Sequence, residues 1–590
     1  MAGKAGKPDL ALPEQKLSSL SFCEASPRAF REWVDGLPIA NVGESARQLY
    51  HAAIELNQLD ISPALRMKLL GQLRPQLNFI CDQLSQHFLG RSIALTEKQR
   101  KVANLAQALQ RHLATGYKIV VSQLADTPNP DKQKMANAQA CHRAISSLGS
   151  TLLRASQLYA PSPGGTWYEA HQIFSWALAR QITGIAIEDP VNQHHRRTTV
   201  EDAYKRLLLL GCCRPNQLRQ KELAEVYSLF ECWTAHTRIL QRGMNDALFV
   251  INLGQDAPPT YRNLLRTPLT TQHIGFDSTE LAEGLAALAN NRNAAPPADA
   301  PELPVKVSDA LLMHLGQALG VLTQRSYRRI ESSGSLQVAV GMTSVHYFSA
   351  GQVAFNRFVD SQDTEPPQNV FLGAAQRRND PWASAFDAGH HESMTSPDAP
   401  INFRGSGGDM AGDSEHAYPL YEVSLENTSP GGYCINWDAE MPSSLQTGEI
   451  LGVRENVDHP WSVALIRWIR QGGQRSAQLG IELLGPGAMP CALRLDNKSG
   501  SGSEFLRGLL LPELSAIGQP ATLLTPRMPF QTGHRITLLR DGEQETAQLS
   551  RRVSATSSIS QFELRFRGPS GKDRSGTSDD DDFASLWQSL

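Results

Sequence analysis

This chain of 590 residues has no excess of charge of either sign: 56 basic residues stand against 59 acidic ones, a formal net charge of -3. That balance excludes bulk electrostatic binding to nucleic acid or an anionic membrane, but leaves room for a local arginine patch that holds a small anion. Cysteine is scarce, eight residues in all, and scattered. The pair Cys212-Cys213 followed by Cys232 fits no tetrahedral zinc spacing, so these read as buried thiols in a reducing cytoplasm. No apolar run is long enough to cross a bilayer, since the best candidate, Leu207–Leu210 with Gly211-Cys212-Cys213, is bounded by Arg206 and Arg214. The basic start runs into charged sequence without an apolar core, so no secretion signal is expected. Also missing are a Gly-x-Gly-x-x-Gly after a strand, a Walker sequence, a His-Glu-x-x-His pair and a nucleophile elbow. No catalytic residue, metal ligand or cofactor is therefore assigned, and the chain is not expected to be an enzyme.

What is present is a soluble globular composition, 41% apolar and 19% charged, in a chain too long for one hydrophobic core. The expected fold class is multidomain α + β: an all-α N-terminal domain, a six-stranded β barrel and a further small β-rich domain. Residues 1–20 read as a disordered lead and 21–290 as all-helical. Ala46, Leu49, Tyr50, Ala53, Ile54 and Leu56 recur at three- and four-residue spacing, and Leu65, Leu69, Leu73 and Leu77 continue it. No 34-residue period marks helical repeats. Residues 291–304 form a Pro-rich linker.

From 305 to 490 the pattern changes to one helix over Val305–Leu322 and then short strands. Leu336–Val340 alternates, and Ser344–Phe348 is expected to continue it as strand. Strands resume at Tyr421–Leu425, Gly432–Trp437, Ile450–Val453, Ser462–Ile469 and Ala477–Leu483, separated by Gly/Asp/Pro turns as in a small closed barrel. Between them, 356–417 is rich in Asp, Ser, Gly and Pro without apolar periodicity and reads as a long flexible insertion. Residues 491–570 form the small β-rich domain, with strands at Ala521–Leu524, His534–Leu539, Glu545–Arg551 and Gln561–Phe566. A disordered acidic tail, 571–590, carries Asp579–Asp582 and then Phe583, Leu586 and Trp587.

Two short motifs frame the barrel. Arg325-Ser-Tyr-Arg328-Arg329 precedes its first strands, and Asn427-Thr-Ser429-Pro-Gly-Gly432 follows a later one. Guanidinium groups three and four residues apart form a clamp for phosphate. A polar turn closed by glycines presents an amide, a hydroxyl and backbone N–H groups to a base or phosphate edge. Read without any resemblance, the arginines also suit a solvated helix C-terminus, and Asn427 and Ser429 an Asx-type turn.

With Ile466-Arg467-Trp468-Ile469 and Gly480-Ile481-Glu482-Leu483, these motifs make residues 321–485 resemble the PilZ-domain family of bacterial cyclic-di-GMP receptors. The helical region carries no such resemblance. In that family an Arg-x-x-x-Arg motif grips phosphates and guanine, and an Asp/Asn-x-Ser-x-x-Gly motif reads guanine on the barrel surface. The resemblance implies that Arg325, Arg329, Asn427, Ser429 and Gly432 hold cyclic di-GMP, as an intercalated dimer of the dinucleotide, while Arg328 lies outside the motif and is read as an extra positive charge that assists electrostatically. It implies a cytoplasmic receptor that signals through an unidentified protein partner, reached by the helical domain or the C-terminal tail, and acts on motility, pili or surface attachment. The 98 positions from Arg329 to Asn427 exceed the family's usual few tens. The insertion accounts for the excess, because each doubling of loop length costs only about 0.6 kcal/mol. The alternative is a PilZ-like scaffold that binds no nucleotide and acts only through protein contacts.

The remaining candidates read as structural. His171 suits the edge of a helical core, and His142 with Cys141 suits packing. His194-His195-Arg196-Arg197 could hold a metal or an anion, but reads as a solvated loop. An enzymatic site among the helices would need an apolar pocket with converging polar groups.

Overall fold

The computed structural model describes residues 7–127, 133–241, 247–290, 300–321, 330–362, 418–429, 431–457, 459–472, 476–496, 504–513 and 520–566. Contacts divide the chain into two units: Met1–Ser326 with Trp468–Ala477, and Tyr327–Arg467 with Gln478–Leu590. Among the described residues no helix is long and apolar enough to cross a membrane.

The first unit is built on eight helices: α1 (Pro27–Asp35), α2 (Val42–Gln58), α3 (Pro63–Ser85), α4 (Glu97–Ala125), α5 (Lys134–Gln157), α6 (Thr166–Ala179), α7 (Val200–Cys212) and α8 (Gln220–Trp233). Their starts follow the side-chain chemistry of capping. Ser26, Asn41, Ser62, Thr96 and Thr199 each accept a hydrogen bond from a backbone N–H of the first turn, with Pro27 and Pro63 as first helical residues. Helix α5 is buried around most of its circumference, by Ala138, Ala140, Cys141, Ala144, Ile145, Leu148, Gly149 and Leu152 among others, and packs against α4, α6, α7 and α8. Its small residues let four neighbours approach closely, which makes it the central helix of one continuous core.

The periodicity predicts an all-helical region, but among the described residues six short strands interrupt it. A hairpin of β1 (Ile187–Glu188) and β2 (Arg197–Thr198) joins α6 to α7. After α8 comes a four-stranded sheet of β3 (Arg238–Leu240), β4 (Phe249–Asn252), β5 (Thr260–Tyr261) and β6 (His273–Asp277), in the order β3-β6-β4-β5. These strands are two to five residues long, too short to show alternation, although Phe249-Val-Ile and Ile274-Gly-Phe have the aromatic and β-branched content of strands. Helices α9 (Thr279–Asn290) and α10 (Asp309–Leu319) pack together and complete the unit.

In the second unit, β7 (Ile330–Glu331) and β8 (Ser335–Val340) lead to α11 (Gly341–Ser349) and α12 (Phe355–Gln362). Ser344–Phe348 is therefore helix, a correction to the expected strand. Gly341 has φ +86, a left-handed conformation that ends β8 and lets the chain turn into α11. Residues 356–362 are also helical. Phe355 and Phe358, three positions apart, join a cluster with Ala492 and Leu539, a short apolar face hidden among the polar residues of the expected insertion. The rest of that insertion, 363–417, the arginine segment 322–329, most of the Pro-rich linker and the acidic tail lie outside the described residues.

Strands β9 (Tyr421–Ser429), β10 (Gly432–Trp437), β11 (Ile450–Arg454), β12 (Ser462–Gln471) and β13 (Ala477–Gly485) join β8 in the order β10-β13-β12-β11-β8-β9. Pairing of β9 with β10 closes six strands into a barrel. Val338, Leu451 and Val453 fall on its inner side, as their register shows, while Ala339, Ile450, Val463 and Leu465 lie on the outer side in a second cluster. That cluster takes in Val345 of α11 and Leu509, Leu511, Leu524 and Ile559 from the following strands. Burial on both faces explains why β8, β11 and β12 carry apolar runs rather than strict alternation.

The last region is a second closed barrel, β14-β15-β16-β19-β18-β17, built from β14 (Met489–Leu495), β15 (Leu506–Leu511), β16 (Thr522–Pro526), β17 (Arg535–Arg540), β18 (Glu543–Ala555) and β19 (Ile559–Phe566). The small β-rich domain is thus six-stranded. Two strands absent from the sequence reading, β14 and β15, close the ring.

Candidate functional site

Strands β9 and β10 form a hairpin in which Ser429 opposes Gly432, Tyr433 opposes Thr428 and Cys434 opposes Asn427. The next pair is Ile435 with Leu425, so Glu426 is an extra residue on β9, a bulge. Directly opposed residues share a face, and successive residues alternate. Ile435 and Trp437 are fully buried inside the barrel, and Leu425 shares their side. Cys434 and Gly432 point the other way, and the bulge moves Asn427 and Ser429 with them to the outer surface. Without that extra residue, Leu425, Asn427 and Ser429 would all face inward.

The turn itself is tightly held. The Ser429 hydroxyl donates to the Gly432 carbonyl at 3.1 Å, and the Leu483 N–H of β13 donates to the Gly431 carbonyl at 3.0 Å. Gly432 has φ +152, and a Cβ there would lie 2.0 Å from the Ile481 carbonyl oxygen. Only glycine lets β10 approach β13 so closely. Asn427 and Ser429, which sequence alone permits as a turn, are the last part of β9. Gly431 lies at the bend and Gly432 opens β10.

Strand β7 pairs with this same end of β9, Ile330 opposite Thr428 and Glu331 opposite Asn427. Both β7 residues are exposed. Arg325, Arg328 and Arg329, the other half of the expected site, lie outside the described residues. The structure thus brings together Asn427, Ser429 and Gly432 and sets the first described residue after the arginines beside them.

Two carboxylates lie among the neighbours of the six expected site residues. Glu426, the bulge residue, accepts from the Gln478 amide, and Glu482 is paired with Arg467. Arg467 and Glu482 belong to the two strand motifs noted in the sequence, here adjacent as β12 and β13. No sequence signal marks the bulge, because its effect depends on which β10 residues β9 meets. A cavity of about 150 Å³ lies elsewhere in this unit, lined by Met342, Tyr418, Tyr421, Leu506, Arg507 and Ile559 among others, and shares no residue with the turn.

Titratable groups in the core are held for structural reasons. His346 of α11 lies 3.3 Å from the Cys491 carbonyl and edge-on to Phe355 and Phe358. Burial, with the charge of Arg507, pushes its pKa down to about 3. His171 is brought down to about 4 by burial, with its ring nitrogens 2.7 Å from the Tyr204 hydroxyl and 3.0 Å from the Ala257 carbonyl. Both remain neutral at pH 7, which fits packing rather than proton transfer.

Comparison with known proteins adds three family models. Residues 28–243 match the N-terminal domain of the cyclic-di-GMP receptor FimW, 248–490 its middle PilZ domain, and 491–566 the FimW C-terminal beta-barrel domain. The helical region, which no resemblance reached, therefore matches a family model of its own. The chain is 38% identical to the cyclic-di-GMP receptor FimW of Pseudomonas aeruginosa over 606 aligned positions, covering 98% of each chain. No solved structure matches it.

Proposed function

The chain belongs to the FimW family of cyclic-di-GMP receptors, and we propose that it binds cyclic di-GMP with Arg325, Arg328 and Arg329 acting together with Asn427, Ser429 and Gly432. The observation that carries this reading is the β7–β9 register. Arg329 is bonded to Ile330, and Ile330 opposes Thr428, between the two polar residues that the bulge turns outward. Consecutive Cα atoms are about 3.8 Å apart, so the bond from Arg329 to Ile330 puts at least that arginine within reach of the Asn427–Gly432 end of the barrel, which supports the reading.

The division of labour follows from the side chains. Guanidinium groups engage phosphate oxygens and guanine edges in charge-assisted, bidentate fashion. The Asn427 amide offers a donor and an acceptor to a guanine edge, and Ser429 a hydroxyl. Gly432 contributes by holding the turn. The ligand is a pair of intercalated dinucleotides, whose phosphates need more than one arginine. Binding is coupled to the helical unit through the chain itself, since the arginine segment directly continues from α10. The output is a protein contact rather than a reaction.

Isothermal titration with cyclic di-GMP tests this. The unaltered chain should bind. Arg325→Ala and Arg329→Ala should each weaken binding about 10- to 150-fold, the equivalent of a lost hydrogen bond to a charged group of about 1.5–3 kcal/mol, with little change in melting temperature. Arginine variants that stay folded and bind normally would show the site assignment to be wrong. An unaltered chain that gives no heat at low salt would leave a protein-binding scaffold.

A further inference from the structure

The β1–β2 loop, the last turn of α8 and the segment before α10 converge in the first unit on three side chains of metal-binding type. His195, Cys232 and Glu302 place a ring nitrogen, a thiol sulfur and a carboxylate oxygen all within 4.8 Å of one another. Among the described residues this is the one group of three such donors. They come from positions 195, 232 and 302, so no local spacing in the sequence announces them.

We propose that His195, Cys232 and Glu302 bind a zinc ion, which clasps the Pro301–Pro304 segment onto α8 and the β1–β2 loop. Zinc takes nitrogen, thiolate and carboxylate ligands tetrahedrally, with bonds of about 2.0–2.3 Å. Nitrogen and oxygen ligands bonded at those lengths stand about 3.3–3.4 Å apart along a tetrahedral edge. His195 Nε2 and Glu302 Oε2 are 3.4 Å apart, long for a hydrogen bond but matched to such an edge.

The surroundings hold each donor in place. The N–H groups of His194 and His195 point at Glu231, at 2.8 and 3.4 Å, and Glu231 is itself paired with Arg206. The Asn192 amide donates to the His195 carbonyl at 2.9 Å. The Trp233 indole donates to the Glu302 carbonyl at 2.8 Å, tying Glu302 to the residue after Cys232. Cys232 is buried while His195 and Glu302 are exposed, so the thiol forms the floor and the fourth position opens to water. Binding converts the Cys232 thiol to a thiolate and releases its proton to solvent.

Cobalt(II) and zinc(II) titration of the untagged full-length chain, stripped with chelator, tests the site. One equivalent of cobalt should give a thiolate-to-metal charge-transfer band and the strong visible absorption of tetrahedral cobalt, both removed by one equivalent of zinc. Cys232→Ser should abolish the charge-transfer band. His195→Ala and Glu302→Gln, at exposed positions, should each weaken zinc binding at least about tenfold while the metal-free melting temperature holds. A chain that gives no charge-transfer band, or a band that survives Cys232→Ser, would overturn the proposal and leave a surface His–Glu pair beside a buried thiol.

Discussion

At Gly432 a single methyl group decides whether β10 can lie against β13. Gly432→Ala should lower the melting temperature, because the added Cβ meets the Ile481 carbonyl oxygen and one backbone or the other must move. Ser429→Ala, by contrast, removes a hydroxyl that already bonds to the Gly432 carbonyl. It should weaken cyclic-di-GMP binding by no more than about tenfold, one neutral hydrogen bond of about 0.5–1.5 kcal/mol, as titration would show. His346 gives a pH dependence. Its folded pKa is depressed from the ordinary 6.5 to about 3, so the unfolded chain binds the extra proton between those values. The stability from neutral His346 is thus present above pH 6.5 and lost as pH falls, by up to about 1.4 kcal/mol per pH unit. In thermal melts between pH 7 and 4.5, His346→Phe should fall less steeply than the unaltered chain, and an identical slope would refute this.

The β1–β2 hairpin shows how much an element can rest on one residue. Asp189 is fully buried and holds Arg74 through two hydrogen bonds of 2.7 and 2.9 Å, and it also pairs with Arg143. Burial alone would raise its carboxyl, but the hydrogen bonds and charge of Arg74, with the charge of Arg143, hold it below the usual carboxylate range. Asp189→Asn would leave two buried guanidiniums without their anion. It should cost about 3–5 kcal/mol, read as a lower denaturant midpoint. Nothing in the sequence pointed to Asp189, because Arg74 and Arg143 lie far away along the chain. Elements with local signals were more legible. Strongly periodic helices such as α2 and α3 and strands such as Gly432–Trp437 could be read directly, whereas Ser344–Phe348 has strand-like residues and is helical because Gly341 turns the chain. The strands of the small sheet were too short for any period to show.

Across the whole chain, the order of helical region, first barrel and second barrel was legible from shifts in composition and turn spacing. The closure of the second barrel was not, since β14 and β15 supply its missing edges through long-range pairing. Of the proposed ligand site, the sequence offers the motif residues, while the bulge that turns Asn427 and Ser429 outward and the pairing of Ile330 with Thr428 exist only in the folded register. A ligand that binds only the folded chain stabilises it by about 2.7 kcal/mol at a hundred times its dissociation constant. Cyclic di-GMP should therefore raise the melting temperature of the unaltered chain but not of an Arg325→Ala/Arg329→Ala double variant. The most direct test of the central claim is amide hydrogen exchange of the full chain with and without saturating cyclic di-GMP. Slower exchange is expected in peptides covering 322–332 and 425–434 together. Binding with no protection in either segment, or with protection confined to the helical unit, would contradict it.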